Sequence, residues 1–459
     1  MMTNLGKFQS FTENVIAFRS GVRTPRDLLE EYIAEIEEKE SSIGAFAHLD
    51  LEAARLSADE STRRYQEKCQ LSSIDGLPIG VKDIIDTVDL PTCMNSELFS
   101  SRKPLVDATC VKKMKMGGGV LVGKTTTTEF AIGYPAPTFN PHSRKHSPGG
   151  SSSGSAAGAA SNFFAVALGS QTLGSIIRPS SYCGVIGFKP TYGQLPLRGV
   201  HPLAPSLDHL GTLSIHIDDA WLLAAFLNQR AGFDLNNGLA LGRIPRLKSV
   251  APTKLGVLRA ASFENIDPAA MLAFEDALEK LRDANIELIE PDTHPQLNEF
   301  VLRLSKVPHA CKNILSFEMC DRYSQYIELD RDKVGDRIKS LVADGEALNL
   351  GQYSELLKEK RELTKMFTRL QEVVSGLLLP STYGSAPVGL EFTGDPELQI
   401  YASYLGAPVF NLPTMQVHGM PFGLQLIGFP YSDLCLAQNA KWLISAFDRP
   451  VLRLQDRYD

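Results

Sequence analysis

The 459 residues contain no long block of like charge, no Cys-x-x-Cys pair and no apolar stretch built to cross a bilayer. Each absence excludes something. A net charge of −7 that is spread along the chain leaves no electrostatic footprint for nucleic acid or an anionic membrane, and it disfavours a polyanionic substrate. The seven cysteines (Cys69, Cys93, Cys110, Cys183, Cys311, Cys320 and Cys435) are odd in number and scattered, which fits a reducing compartment. Met1 to Lys7 lead into polar sequence without the apolar core of a signal peptide, so a cytoplasmic protein is expected. The longest uncharged run, Ser147 to Ile177, consists largely of Gly, Ser and Ala and is no membrane span, while its Phe163-Phe164-Ala165-Val166-Ala167-Leu168 segment is too apolar for a flexible linker. Internal repeats and low-complexity tails are missing too.

The chain carries 43% hydrophobic and 22% charged residues, enough apolar material for a large core. Thr24-Pro25-Arg26-Asp27 reads as a helix start, with a capping residue, proline at the first helical position and an acid three residues after the cap. Leu28 to Ile36 then place apolar residues on one helical face, and a second helix is expected after Leu51. Leu77 to Val81, Gly119 to Val122 and Phe163 to Leu168 are short apolar runs of strand type, separated by glycine-rich turns and helical segments, which implies an α/β sheet. Lys254 to Leu258, Pro268 to Asn285 and Ile286 to Glu290 read as a β-α-β unit. The stretch from Cys311 to Val374 is charged and helical, and strand character returns at Leu377 to Pro380 and Gly423 to Gly428. One domain over residues 1–459 is expected, with a core at 75–215, a helical insertion at 311–374 and a C-terminal segment, 377–459, that rejoins the core.

Three short motifs mislead. Gly118 to Thr125 satisfies the P-loop pattern, but a phosphate loop needs its strand before the first glycine, and here the apolar strand Val120 to Val122 falls inside the would-be loop. Gly150-Ser151-Ser152-Ser153-Gly154 matches the Gly-x-Ser-x-Gly nucleophile elbow, which must follow a strand, whereas Pro141 to Gly149 are unsuited to one. His142 and His146 have the spacing of metal ligands on a helix, yet prolines flank them and no acid is near. Neither a metal nor a cofactor is expected.

Several blocks occur in an informative order. Gly76-Leu77-Pro78-Ile79-Gly80-Val81-Lys82-Asp83 is followed by Gly123-Lys124-Thr125 and Glu129-Phe130. Next come Gly149-Gly150-Ser151-Ser152-Ser153-Gly154-Ser155 and Gly169-Ser170-Gln171-Thr172-Leu173-Gly174-Ser175. Cys183 to Gly193, Gly406-Ala407-Pro408 and Gly419 to Gln425 complete the series. In these blocks the chain resembles the amidase signature family, closely from Asp75 to about Gly211 and more loosely over most of its length. The resemblance implies an α/β fold with a central mixed sheet flanked by helices. It also implies a catalytic triad in which Ser175 is the nucleophile, Ser151 the bridging serine after a cis peptide, and Lys82 the base. The backbone N–H groups of Thr172, Leu173, Gly174 and Ser175 would form the oxyanion hole, and Cys93, Met94, Asn95 and Ser96 resemble a stretch that lines the acyl site.

The spacing of the two serines is chemically sensible on its own. A helix from Ser152 to Asn162 rises roughly 16 Å and a strand from Phe163 to Leu168 covers roughly 20 Å, so folding one back on the other brings Ser151 near Ser175. Small Gly and Ala residues let that helix approach the sheet. A serine nucleophile needs a partner to accept its proton, and a lysine made neutral by burial can do so through the second serine.

One block departs from the family's usual Asp-Thr-Gly-Gly-Ser-Ile-Arg. Here Gln171-Thr172-Leu173-Gly174-Ser175-Ile176-Ile177-Arg178 removes the acid and moves the arginine one place on, so Gln171 is expected to brace the loop by hydrogen bonds and Arg178 to find other partners. The expected activity is hydrolysis of a small-molecule carboxamide through an acyl-enzyme on Ser175, by a monomer or homodimer without nucleic acid or membrane. A carbamate or urea hydrolase is the alternative, as is an A-type amidotransferase subunit that works with partner subunits.

Overall fold

The computed structural model describes residues 9–230 and 247–447, so Met1 to Lys7 and the end of the C-terminal segment lie outside the described residues. Thr24 caps the helix Pro25–Ile43 in a reciprocal capping box with Asp27, and proline occupies the first turn. Leu28, Leu29, Tyr32, Ile33 and Ile36 form its buried face, and the second helix, Leu51–Gln66, follows as the sequence suggested.

Eleven strands among the described residues form one sheet: β1 Phe46–Leu49, β2 Pro78–Lys82, β3 Val120–Thr125, β4 Val166–Gln171, β5 Ile186–Lys189, β6 His209–Ser214, β7 Lys254–Val257, β8 Glu287–Ile289, β9 Leu377–Pro380, β10 Val409–Val417 and β11 Met420–Ile427. Their spatial order is β1-β3-β2-β4-β6-β5-β10-β11-β9-β7-β8. β2 runs parallel to β3 and β4, β6 is antiparallel to β4 and β5, and β9 is parallel to β7, so the sheet is mixed. Every residue of β2 and β4 is buried, as expected of central strands covered on both faces. This is a single-domain α/β fold with helices flanking a large mixed sheet. None of the helices among the described residues is long and apolar enough to cross a membrane.

The helix and strand between the two serines depart from their expected bounds. The helix is shorter, Ser153–Ala160, and the strand starts three residues later, at Val166. Asn162 turns the chain at φ 59°, and the next two side chains are taken by packing. Phe163 stacks on Phe46 at 5.9 Å, while the ring of Phe164 lies where a Cβ on Gly80 or Gly158 would meet it at 2.6 or 2.7 Å. The aromatic pair therefore closes the turn and leaves the strand to run on to Gln171. The P-loop pattern dissolves for the reason anticipated, since β3 runs straight through Gly123-Lys124-Thr125. Helices Pro295–Leu304, Val307–Leu329, Asp336–Glu346 and Leu350–Arg369 make up the charged region, and they begin ahead of the boundary read at Cys311.

Helix Ser153–Ala160 lies on β3 so closely that a Cβ on Gly154 would run into the backbone oxygen of Ala45 and into Thr126. Backbone cannot swing aside as a long side chain can. Gly154→Ala is expected to destabilise the protein by about 1–3 kcal/mol through overpacking, despite alanine's better helix propensity, and thermal unfolding of the variant measures this. An unchanged or raised melting temperature would contradict the close approach.

Candidate active site

β2 ends on Lys82, which has no exposed surface. Its Nζ lies 2.7 Å from Ser151 Oγ, 3.0 Å from Ser152 Oγ and 2.9 Å from Ser170 Oγ. Three hydroxyls thus surround the amine, and among the described residues no carboxylate bonds to it. Burial pushes its pKa well below the ordinary lysine range, the charge of Arg178 adds to that, and Asp208 opposes it. Burial thus favours the neutral form of this amine over the charged one.

Ser151 follows a cis peptide bond from Gly150. Ser175 stands beyond the end of β4, and its carbonyl accepts the N–H of Ser152 at 3.3 Å, which holds the two serine turns together. Ser151 and Ser175 line one narrow pocket of about 20 Å³ with Thr128, Ala131, Thr172 and Leu173. Ser152, the centre of the elbow motif, is absent from that lining. It is fully buried, and its Oγ donates to the Ser170 carbonyl at 3.2 Å.

The loop between β4 and the following helix Ile177–Tyr182 presents unused donors. The N–H groups of Thr172, Leu173, Gly174 and Ser175 meet no acceptor among the described residues. Thr172 Oγ1 donates to Asp208 at 2.6 Å, and the N–H groups of Leu203 and Ala204 donate to the same carboxylate at 2.9 and 3.1 Å. Burial nevertheless lifts Asp208 to about 6.

Cys93, Met94, Asn95 and Ser96 do not reach the pocket lining. Asp83 Oδ2 accepts the N–H of Cys93 at 3.1 Å and of Met94 at 2.9 Å, while Oδ1 pairs with the buried Lys124 at 3.0 Å. The Met94 carbonyl accepts the Phe130 N–H at 2.9 Å, so this loop stands behind the wall made by Ala131 and Ile132. Asp83 also comes within ligand range of His48 and Cys93. Its oxygens are already engaged by Lys124 and two amides, which leaves little for a metal ion. His142, half of the other metal pattern, is tied to the Cys183 carbonyl at 3.0 Å.

The sequence profile described as Amidase matches residues 27–436. The chain belongs to the amidase signature family. It is an amidohydrolase of carbon–nitrogen bonds. Among curated relatives, the A-type subunit of the glutamyl-tRNA(Gln) amidotransferase of Chloroflexus aggregans is 30% identical, with 92% of each chain aligned. A crystal structure described as an amidase superposes with a TM-score of 0.83 at 27% identity, covering 96% of this chain and 100% of the other. The corresponding A-type amidotransferase subunit from Thermotoga maritima shares the fold, with a TM-score of 0.71 at 24% identity and 91% coverage of both chains.

In the loop that leads to Ser175 this amidase has Gln171 in place of the family's usual acid, and its Oε1 accepts the N–H groups of Ile176 and Ile177 at 2.9 and 3.1 Å. Its Nε2 donates to Ser403 Oγ at 3.0 Å, and Ser403 donates to the Leu173 carbonyl at 2.8 Å. Arg178 has turned to backbone carbonyls. Its Nη2 donates to Gly150 O and its Nη1 to Gly394 O, both at 2.8 Å, and Nε adds a second bond to Gly150 O at 3.1 Å. Burial lowers its pKa to about 10.

Sequence reasoning missed Ser170, Asp208, Ser403 and Arg337, which also lines the pocket. Ser170 lay in plain view, one residue before Gln171, but nothing local tells a hydroxyl facing Lys82 from one facing the other side of the strand. Arg178→Ala strips the donors from two buried carbonyls and is expected to cost about 2–5 kcal/mol, read as a lower melting temperature with substrate preference unchanged. A variant that kept its melting temperature and lost selected substrates would place Arg178 on the substrate instead.

Proposed function

We propose that this amidase cleaves a small carboxamide or related acyl-nitrogen bond through an acyl-enzyme on Ser175, with Ser151 as proton bridge and Lys82 as base. The observation that carries the reading is the fully buried Lys82 amine, 2.7 Å from Ser151, which lines the same pocket as Ser175. Ser175 Oγ attacks the acyl carbon while its proton passes to Ser151, and the proton of Ser151 passes to Lys82. The carbon–nitrogen bond then breaks. The proton returns from Lys82 through Ser151 to the leaving nitrogen, and water, activated by the same relay, releases the acid and restores Ser175. The free N–H groups of Thr172 to Ser175 supply the oxyanion hole, since they lie in the loop that carries the nucleophile and meet no other acceptor among the described residues.

Cys93 to Ser96 are assigned to holding the pocket wall. The insertion read at 311–374 serves as cover for the cleft, a role supported by Arg337 at the pocket. The protein acts as a monomer or homodimer in the cytoplasm. A second reading, an A-type amidotransferase subunit, is favoured by the 30% identical relatives; turnover of a simple amide by the purified chain alone decides against it. A panel of amides, carbamates and ureas decides the acyl class.

Ser175→Ala is expected to lose activity by on the order of 10⁴-fold or more, and a fluorophosphonate should label Ser175 in mass spectrometry. Labelling at Ser152 would restore the elbow reading. Because only neutral Lys82 accepts a proton, kcat/KM should climb with pH through one group below the usual lysine range and then level off. Lys82→Arg should be nearly as damaging as Lys82→Met, because guanidinium keeps its proton. Substantial activity in the arginine variant would remove Lys82 from the base role. Prolonged chelation should leave turnover intact, and a loss reversed by zinc would count against the relay.

A further inference from the structure

The pocket that holds Ser151 and Ser175 is lined by two cationic side chains, Arg178 and Arg337, and by no Asp or Glu. The donors of Arg178 are spent on Gly150, Gly394 and Thr393. Arg337 differs. Among the described residues it forms no ion pair and no hydrogen bond, although it stays accessible to solvent on its outer side. The carboxylate that most affects its charge, Asp395, is engaged with the Glu397 N–H at 2.8 Å. Arg337 is an exposed residue whose guanidinium is hydrated until an anion arrives, so its donors at the pocket are free to take one.

Its position is built. Arg337 belongs to helix Asp336–Glu346, and the buried side chains of Val334 and Ile338 on either side fix how that helix sits. Glu129 Oε1 accepts the Gly335 N–H at 3.0 Å and ties the start of this segment to the wall that carries Ala131 and Gly133. A Cβ on Gly335 or Gly133 would meet the same carboxylate, so both glycines leave it room to reach across.

We propose that Arg337 binds a carboxylate on the substrate, which makes the substrate class a compact anionic amide such as the monoamide of a small dicarboxylic acid. Guanidinium suits this task, since its planar fork takes a carboxylate through two hydrogen bonds. Arg337 and Ser175 line the same pocket, which favours a short link between the carboxylate and the amide. The inference rests on hydrolysis at Ser175 and adds the group that selects what is hydrolysed there.

The test compares succinamate with the uncharged succinamide in wild type, R337A, R337Q and R337K. Wild-type kcat/KM should favour succinamate at least tenfold. In R337A and R337Q that ratio should fall at least tenfold, chiefly through KM for succinamate, and R337K should recover part of it. Independently of turnover, succinate should protect Ser175 from fluorophosphonate in wild type and at least tenfold less effectively in R337A. Equal use of both amides by wild type, or an unchanged ratio in the variants, overturns the carboxylate site and leaves the hydrolase reading standing. If wild type hydrolyses neither amide and Ser175 resists labelling, the hydrolase reading falls. Succinate then still decides the arginine's role, by raising the melting temperature of wild type and not of R337A, or by failing to do so.

Discussion

A lysine amine held away from water at the end of a central strand is the constraint on which the rest of this structure depends. An ammonium ion in such a place loses several kcal/mol of hydration, and lysine escapes the cost by giving up its proton. Three serine hydroxyls around Lys82 suit the neutral amine, because each can donate to its lone pair or accept from its N–H groups. A carboxylate in direct contact would have held the proton in place. Asp208 is close enough to be felt but spends its oxygens on Thr172, Leu203 and Ala204. The bed of small residues serves the same end: a Cβ on Gly154 would strike the Ala45 carbonyl and Thr126, and one on Gly169 would press on Leu213 and Ser152.

The exchange of an acid for Gln171 fits this economy of charge. A carboxylate could accept the N–H groups of Ile176 and Ile177, but it could not donate to Ser403. The amide does both, and so connects the nucleophile loop through Ser403 back to Leu173. With no anion at position 171, Arg178 needs other acceptors, and backbone carbonyls on both sides of it supply them. The departure from the family pattern is thus absorbed by neutral hydrogen bonds.

Much of this was legible in the sequence where a local physical rule governed the outcome. The cap at Thr24, the apolar run Leu77 to Val81 that becomes most of β2 and the misplaced strand within the P-loop pattern each follow from a few neighbouring residues. The order of the serine and lysine blocks pointed to the family. What failed to show were properties set by residues distant in sequence. The three-residue delay of β4 depends on Phe46 and Gly80 receiving Phe163 and Phe164. Cys93 to Ser96 end up behind the wall because the buried Asp83–Lys124 pair fastens them there. Arg337 sits in a helix rich in exposed charge, where one more arginine carries no local signal.

On the proposed mechanism, chemistry and selection occupy different stretches of chain. The proposed relay is confined to β2, the turn at Ser151 and the loop that ends in Ser175, all packed so closely that an added methyl group at Gly154 would strike backbone. The unpaired cation comes from a helix well over a hundred residues later, joined to the pocket wall through Glu129 and Gly335. Substitutions at an exposed helical position usually shift stability by no more than about 0.5 kcal/mol, whereas those around Lys82 disturb the burial that lowers its pKa. With Arg337 as the proposed selecting group, a change of substrate made there leaves the solvation of Lys82 unaltered. The reverse does not hold, since any change that admits water to Lys82 raises its pKa and weakens turnover of every substrate alike.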